Sequence, residues 1–365
     1  MAYSTIDDPE KYFQTKIYAG DGQSSKAVTL DGDTDLSPDF VWIKNRSGTD
    51  VNALYDSVRG VNKNLRSDAT AAEGSQSDGL LSFDSDGFTV GAAGSVNTNA
   101  NNFVSWNWLA ETAFSNDASA TSVGTIDTSG AIQANAGFSI ITWTGNATSS
   151  QSVAHGLGAV PKVIFTKNTD NASQPWKCYF EFVGNGDYLI LNATDTPATS
   201  GVWSSTTPTS SIISISNDTG INGSGNTILA YCFTDIKGYH KTGRYHGNGN
   251  ADGTFVFTGF RPALIMVRDP GNAENWLVYD NKRPGHNGGS QGHDYIKAQT
   301  TEVETAHSTS EIHFTGHGFK LTGAEGDINY NELKMVYWAF AHHPLVTSTG
   351  IPTTGFGRIP GSVGS

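Results

Sequence analysis

Apolar residues in this chain come in short runs separated by polar, turn-forming stretches. Phe40-Val41-Trp42-Ile43 and Phe255-Val256-Phe257 are examples, and runs of this kind can supply buried cores. They are too short for helices and are bounded by Gly, Asn, Ser and Asp, so they read as strands. One run recurs. Pro38-Asp39-Phe40-Val41-Trp42-Ile43-Lys44, Pro161-Lys162-Val163-Ile164-Phe165-Thr166-Lys167 and Pro262-Ala263-Leu264-Ile265-Met266-Val267-Arg268 each open on proline and close on a base six positions later. Proline suits the first position of a strand, where its missing N–H is not needed. The nearly unbroken apolar stretch predicts a central strand covered on both faces.

Three further landmarks keep step with these runs. Tyr55, Tyr179 and Tyr279 lie 17, 18 and 17 residues after the prolines. Trp176 and Trp276 stand three residues before their tyrosines, where the first copy has Asn52. An aromatic-x-Gly triplet ends at Gly20, Gly145 and Gly247, which precede the prolines by 18, 16 and 15 residues. An aromatic strand closes each copy: Phe103–Trp108, Ile228–Phe233 and Met335–Phe340. Trp106, Tyr231 and Trp338 fall 68, 70 and 76 residues past the prolines, each after an Asn-rich turn. A period of roughly 100–120 residues is too long for a solenoid unit and right for a complete β-sandwich.

The fold expected is all-β: three tandem antiparallel β-sandwich domains, jelly-roll or lectin-like, with extended terminal arms. The expected divisions are an arm at 1–11, repeats at 12–111, 112–236 and 237–343, and an arm at 344–365. Residues 112–136 read as a linker or as the first edge strand of the second copy. Trp42, Trp106, Phe165, Tyr231 and Trp338 are expected in the core. The prolines and glycines of Pro344–Ser365 point to a contact arm that pairs with no sheet.

Composition supports this picture. Forty-two glycines and only 16% charged residues suit short strands with many loops. The net charge of −13, without a Lys/Arg cluster, makes nucleic acid an unexpected partner. No stretch approaches the roughly 20 apolar residues of a membrane span. Met1-Ala2-Tyr3-Ser4 carries neither basic patch nor apolar segment, so synthesis in a cytoplasm is expected. Cys178 and Cys232 are expected to be buried free thiols, with a single bridge as the alternative.

The segments Asp8–Lys16, Pro38–Arg46, Tyr55-Asp56-Ser57-Val58-Arg59-Gly60, Phe83–Phe88, Trp106-Asn107-Trp108 and Ala154-His155-Gly156-Leu157-Gly158 resemble an uncharacterised domain family. That family occurs in virion-associated proteins of tailed phages of marine bacteria, cyanobacterial phages among them. The resemblance covers nearly the whole chain and is weakest in the third copy. It implies a virion protein and brings no catalytic residues with it.

Candidate chemistry is thin. There is no Gly-x-Ser-x-Gly elbow and no Cys/His signature, so enzymatic activity, a cofactor or a metal centre is not expected. Asp31-Gly32-Asp33-Thr34-Asp35 spaces carboxylates as hard-cation loops do, but Leu36 and Trp42 stand where an EF-hand needs Gly and Glu. It reads as an acidic hairpin loop, with a weak calcium site as the alternative. Nine of ten histidines follow residue 239, with His286, His293 and His317 beside Gly-rich loops and His342-His343 after the last strand. They read as scattered loop residues. Asp56-x-x-Arg59 recurs as Asp280-x-x-Arg283, and the second copy has Phe180 and Val183 instead. These pairs read as loop ion pairs, or as contacts to another subunit or a glycan. Trp176 and Trp276, with their tyrosines, read as core or as sugar-stacking platforms.

The expected function is that of a non-enzymatic virion structural protein, a head decoration, head fibre or tail-associated subunit. The alternative is a carbohydrate- or receptor-binding adhesin of the tail. Expected partners are other virion proteins and sister copies, with a host-surface glycan as a further candidate.

Overall fold

The computed structural model describes residues 3–283, 294–306, 311–324, 326–332 and 334–353. Strand accounts for 44% and helix for 6%, arranged as an all-β multi-sandwich of antiparallel sheets. Among the described residues no helix is long and apolar enough to cross a membrane.

Each copy builds the same large sheet. Its opening strand (Phe13–Ala19, Phe138–Thr144, His240–His246) pairs with the closing strand (Asn102–Trp108, Thr227–Phe233, Lys334–Pro344). Next comes the proline strand (Phe40–Asn45, Val163–Asn168, Phe260–Arg268), then the tyrosine strand (Ala53–Asp56, Lys177–Phe180, Leu277–Asp280). A fifth strand (Lys63–Arg66, Asp187–Ile190, Asp294–Lys297) and a two-residue sixth finish it. Register is kept as well as order: Val41, Ile164 and Ile265 lie opposite Tyr55, Tyr179 and Tyr279. Trp42, Phe165 and Met266 lie opposite Trp106, Tyr231 and Trp338.

A small sheet covers one face of each large one: Lys26–Thr29 with Gly87–Val90 and Leu80–Asp84, Gln151–Ala154 with Ile212–Ile215, and Asp252–Phe257 with Gly318–Thr322 and Glu311–Thr315. Val41, Ile43, Tyr55, Phe88 and Phe103 pack between the sheets of the first copy, and Ile164, Tyr179, Ile213 and Ile228 do so in the second.

The other face of each large sheet is equally apolar, and the three faces meet one another. Trp108, Phe233 and Phe340 hold equivalent positions, opposite Phe13, Phe138 and His240. Their rings lie 6.4, 5.6 and 5.8 Å apart in pairs, which marks a pseudo-threefold axis. Phe40 stacks on Tyr231 at 4.2 Å, and Phe165 meets Trp338 at 5.4 Å. Trp42, Trp106, Phe165, Tyr231 and Trp338 are all buried in this common core. The copies therefore share a hydrophobic interior instead of standing as beads on a string.

The aromatic-x-Gly triplet and the Asn-rich turn prove to be two halves of one lock. Asn97, Asn222 and Asn329 are fully buried. Each side-chain oxygen accepts the N–H of the residue after a landmark glycine, from Asp21, Asn146 and Asn248 at 2.8–3.0 Å. A Cβ on Gly20, Gly145 or Gly247 would lie 2.2 Å from a backbone oxygen of the opposing turn, so only glycine fits.

The structure corrects several expectations and decides between the alternatives left for others. Residues 112–136 are no linker: Thr112–Asn116 and Thr128–Gln133 add two strands to the edge of the second large sheet. Pro262 lies inside its strand, where the pairing with the closing strand is bulged, so its missing N–H is tolerated. Pro344 likewise ends the last closing strand opposite Phe260, and Val346 bridges Pro352, so the arm begins by pairing. Ser348 donates to Asp7 through both its N–H and its hydroxyl, which ties the two arms together. Residues 354–365 lie outside the described residues. Phe255 and Phe257 supply no core: alternation on their edge strand turns Val256 inward and leaves the two rings 43% and 48% exposed. The thiols of Cys178 and Cys232 are free and buried on opposite faces of one sheet, which rules out a bridge between them.

Candidate functional site

All six residues singled out from the sequence lie at the joins between copies. At the first join, Asp56 and Arg59 form a buried ion pair at 2.6 Å, and the Tyr231 hydroxyl of the second copy donates to Asp56 at 2.8 Å. Where the third copy meets the first, Asp280 and Arg283 pair at 2.7 Å, and Trp106 Nε1 donates to Asp280 at 3.0 Å. Burial alone would raise the Asp280 pKa. The Arg283 charge and the donors around the carboxylate outweigh it and hold the group below its ordinary value. At the remaining join apolar residues stand in place of the ion pair: Phe180 packs on Trp276 at 5.5 Å. With no carboxylate supplied there, Trp338 Nε1 is buried without a hydrogen-bond partner among the described residues.

A second set of hydrogen bonds is donated in the same sense round the ring. Trp176 Nε1 donates to the Arg66 carbonyl at 2.7 Å, and Trp276 Nε1 donates to the Ile190 carbonyl at 2.8 Å. Asn52, the apparent exception in the repeat, donates to the Thr300 carbonyl at 2.8 Å and so does the same work. The base closing each proline strand is also buried. Lys44 reaches the Thr301 carbonyl at 3.1 Å, and Arg268 reaches those of Ile190 and Ala193 at 3.1 and 2.9 Å. Glu304 completes the closing join by binding both Arg46 and Arg283. Trp176 and Trp276 are 0% and 1% exposed, so neither presents a face on which a sugar could stack.

The other candidates are also accounted for by local contacts. Asp31 of the acidic loop pairs with Lys16 at 3.3 Å and with Lys282 at 3.2 Å, another link between copies. Among the described residues no group of three or more His, Cys, Asp or Glu side chains is placed to hold a metal ion. His155 is buried, with Nε2 on the Thr209 carbonyl and Nδ1 accepting the Leu157 N–H, which braces the Ala154–Gly158 loop. His342 and His343 lie inside the last closing strand and not after it, with tilted rings 3.9 Å apart and His342 3.5 Å from Glu10. His286 and His293 lie outside the described residues.

One family model matches residues 8–344, a domain of unknown function designated DUF7483. The chain belongs to the DUF7483 family. The match runs from the first arm to the end of the last closing strand, so one DUF7483 domain takes in all three copies and the joins between them. No curated protein and no solved structure matches the chain.

The surface feature that sequence reading missed is a groove where the second and third copies meet. Its floor is formed by Gly243, Tyr245 and Tyr337, and its rim by Phe182, Phe255 and Phe257. It continues past Phe182 and Arg244 to Pro197, Pro270 and Lys334. The two lobes measure about 330 and 320 Å³. The signal was present in the internal alignment, since the first copy carries Ala27 and Thr29 where the third carries Phe255 and Phe257.

Proposed function

We propose that this DUF7483 protein is a non-enzymatic structural component of a bacteriophage particle, a head decoration, head fibre or tail-associated subunit. The observation that carries this reading is the fusion of three sandwiches around one aromatic core, with the charged and aromatic candidates all used to join copies. Such an arrangement makes a rigid block, and its Gly/Ser/Thr/Asn-rich, acidic exterior suits a hydrated particle surface. The sequence resemblance to virion-associated proteins points the same way. The Asp56–Arg59 and Asp280–Arg283 pairs are buried and bonded to neighbouring copies, which supports a role in holding the block together. The test is mass spectrometry of particles purified through two density gradients, followed by labelling with an antibody to the chain. The chain should be present at a stoichiometry tied to a capsid or tail protein. Loss of the chain from intact particles during purification would refute the reading.

A second reading, a saccharide-binding adhesin, is favoured by the exposed aromatic groove between the second and third copies.

A further inference from the structure

We propose that the groove between the second and third copies binds a saccharide bearing a carboxylate, with the sugar stacked on exposed phenylalanine rings and the acid held by Arg244. This gives the adhesin reading its site and ligand class. It does not depend on the particle reading, because particle association and saccharide binding are measured separately.

The first observation is exposure. Phe182, Phe255 and Phe257 are 40%, 43% and 48% exposed, and they are the exposed phenylalanines among the described residues. An aromatic ring left partly in water forgoes part of the stabilisation that burial would give it. Three together form a patch of the kind that marks a binding surface.

The repeats provide an internal control. Phe257 lies opposite Gly318 as Thr29 lies opposite Gly87, and Phe255 stands where the first copy has Ala27. The second copy has Ser152 and Ala154 at these positions, aligned through Val153 and Ile213. Phe182 corresponds to Val58 and Lys282, and Arg244 corresponds to Ile17 and Thr142. The sandwich therefore does not need these aromatics. Only this one edge of the ring carries them.

Charge is the third observation. The chain carries a net charge of −13, yet neither lobe is lined by an Asp or Glu. Lys241, Arg244 and Lys334 line it instead. Lys241 sits 5.5 Å over the Phe257 ring and Arg244 sits 5.6 Å over Phe182, while exposed His317 lies against Phe255 at 5.3 Å. The nearby Asp235 is engaged by the Thr242 N–H. Arg244 is exposed, and its planar fork matches a carboxylate. Phenyl faces suit the C–H face of a pyranose ring. A strand donor fits less well, because Ile236 and Asp235 already occupy the backbone at His240 and Thr242. A long polyanion would meet the repulsion of the whole acidic chain, whereas a short acidic saccharide meets chiefly the local bases.

The test uses the full chain and isothermal titration with trigalacturonate, sialyllactose, neutral maltotriose and oligothymidylate. At least one acidic saccharide should bind with Kd below about 1 mM, and maltotriose at least tenfold more weakly. The double variant Phe255→Ser/Phe257→Ala, which installs the second copy's residues, should abolish binding without lowering Tm. Arg244→Ile, the first copy's residue, should erase the preference for acid and the dependence on salt. Four results would overturn the proposal: no acidic saccharide binding at about 10 mM, equal binding of maltotriose, binding of oligothymidylate alone, or self-association of the wild-type chain that the double variant removes.

Discussion

Replacing His240 by phenylalanine should make the protein less sensitive to acid. His240 occupies the position that Phe13 and Phe138 fill in the other copies, opposite the ring at the pseudo-threefold axis. It is 2% exposed, lies 4.6 Å from Phe340, and donates one hydrogen bond, from Nδ1 to the Thr234 carbonyl at 2.8 Å. Its Nε2 has no partner among the described residues. Burial pushes its pKa down to about 4, against the opposing pull of the Thr234 carbonyl. The sign follows directly. Between pH 4 and the unfolded value near 6.5, the unfolded chain holds a proton that the folded chain excludes. Stability from this group is therefore fully present above about pH 6.5 and is lost as pH falls toward 4. The loss amounts to about 2 kcal/mol at pH 5 and a few tenths at pH 7. At pH 7 the substitution exchanges an unsatisfied nitrogen and a lost hydrogen bond against a slightly larger ring, terms of about 1–2 kcal/mol each that offset. The diagnostic quantity is the change in the variant's advantage with pH. Unfolding entropy of roughly 2.1 cal/mol/K per residue makes 2 kcal/mol worth about 2–3 °C if all 365 residues melt together. Calorimetry at pH 7 and pH 5 should show Tm of His240→Phe rising by that amount relative to wild type. His155, also lowered to about 4 by burial, stays in both proteins and keeps both partly acid-labile. Asp235, raised to about 6 by burial, works in the opposite direction and is likewise common to both. An unchanged Tm difference at the two pH values would refute the argument.

The shared core predicts one calorimetric transition for the full chain; three resolved transitions would show that the copies melt independently. Trp106→Ala should cost about 3–5 kcal/mol and destabilise the closing join as well as the first copy, since its ring belongs to the shared core and its N–H crosses to Asp280. Asp280→Ala should cost about 3–5 kcal/mol by stripping Arg283 of its nearest carboxylate. The double variant Asp280→Phe/Arg283→Val, which borrows the second copy's apolar answer, should recover much of that loss in urea denaturation. Asn222→Ala should lower Tm and speed amide exchange in the Trp143–Gln151 turn, because the side chain bonds to Asn146, Thr148 and Ser216 at once.

The strands were legible because a repeated core must be rebuilt at the same register, and Trp42, Tyr55 and Trp106 announced that register three times over. What lay on the far side of the sheet was not legible. The unbroken run Phe40–Ile43 says that both faces of its strand are apolar, but not whether a small sheet or another copy covers each one. Asp56 and Asp280 hinted at it: a recurring ion pair beside a core strand needs a buried partner, and that partner came from a different copy. Asn52 showed the limit of matching by residue type, since an amide replaced an indole while reaching the same kind of carbonyl. Phe255 and Phe257 misled because an apolar run on an edge strand looks like a core run, and only the small residues at the matching positions set them apart.

Covalent fusion explains why the three joins are free to differ. In a symmetric trimer every interface carries the same residues, so a change at one is a change at all. Within one chain, the first and closing joins keep Asp–Arg pairs while the middle one holds Phe180 and Val183. The closing join brings together Arg46 and Glu304, 258 residues apart, and so bears the largest loop-closure entropy. It also carries an ionic network that spans the two copies, with Arg46, Arg283, Asp280 and Glu304 in contact. The same freedom allows a single edge of the ring to carry three exposed phenylalanines. Repeated on all three copies, that patch would triple the exposed apolar surface and the risk of aggregation. Confined to one, it leaves the block with a single edge of this character.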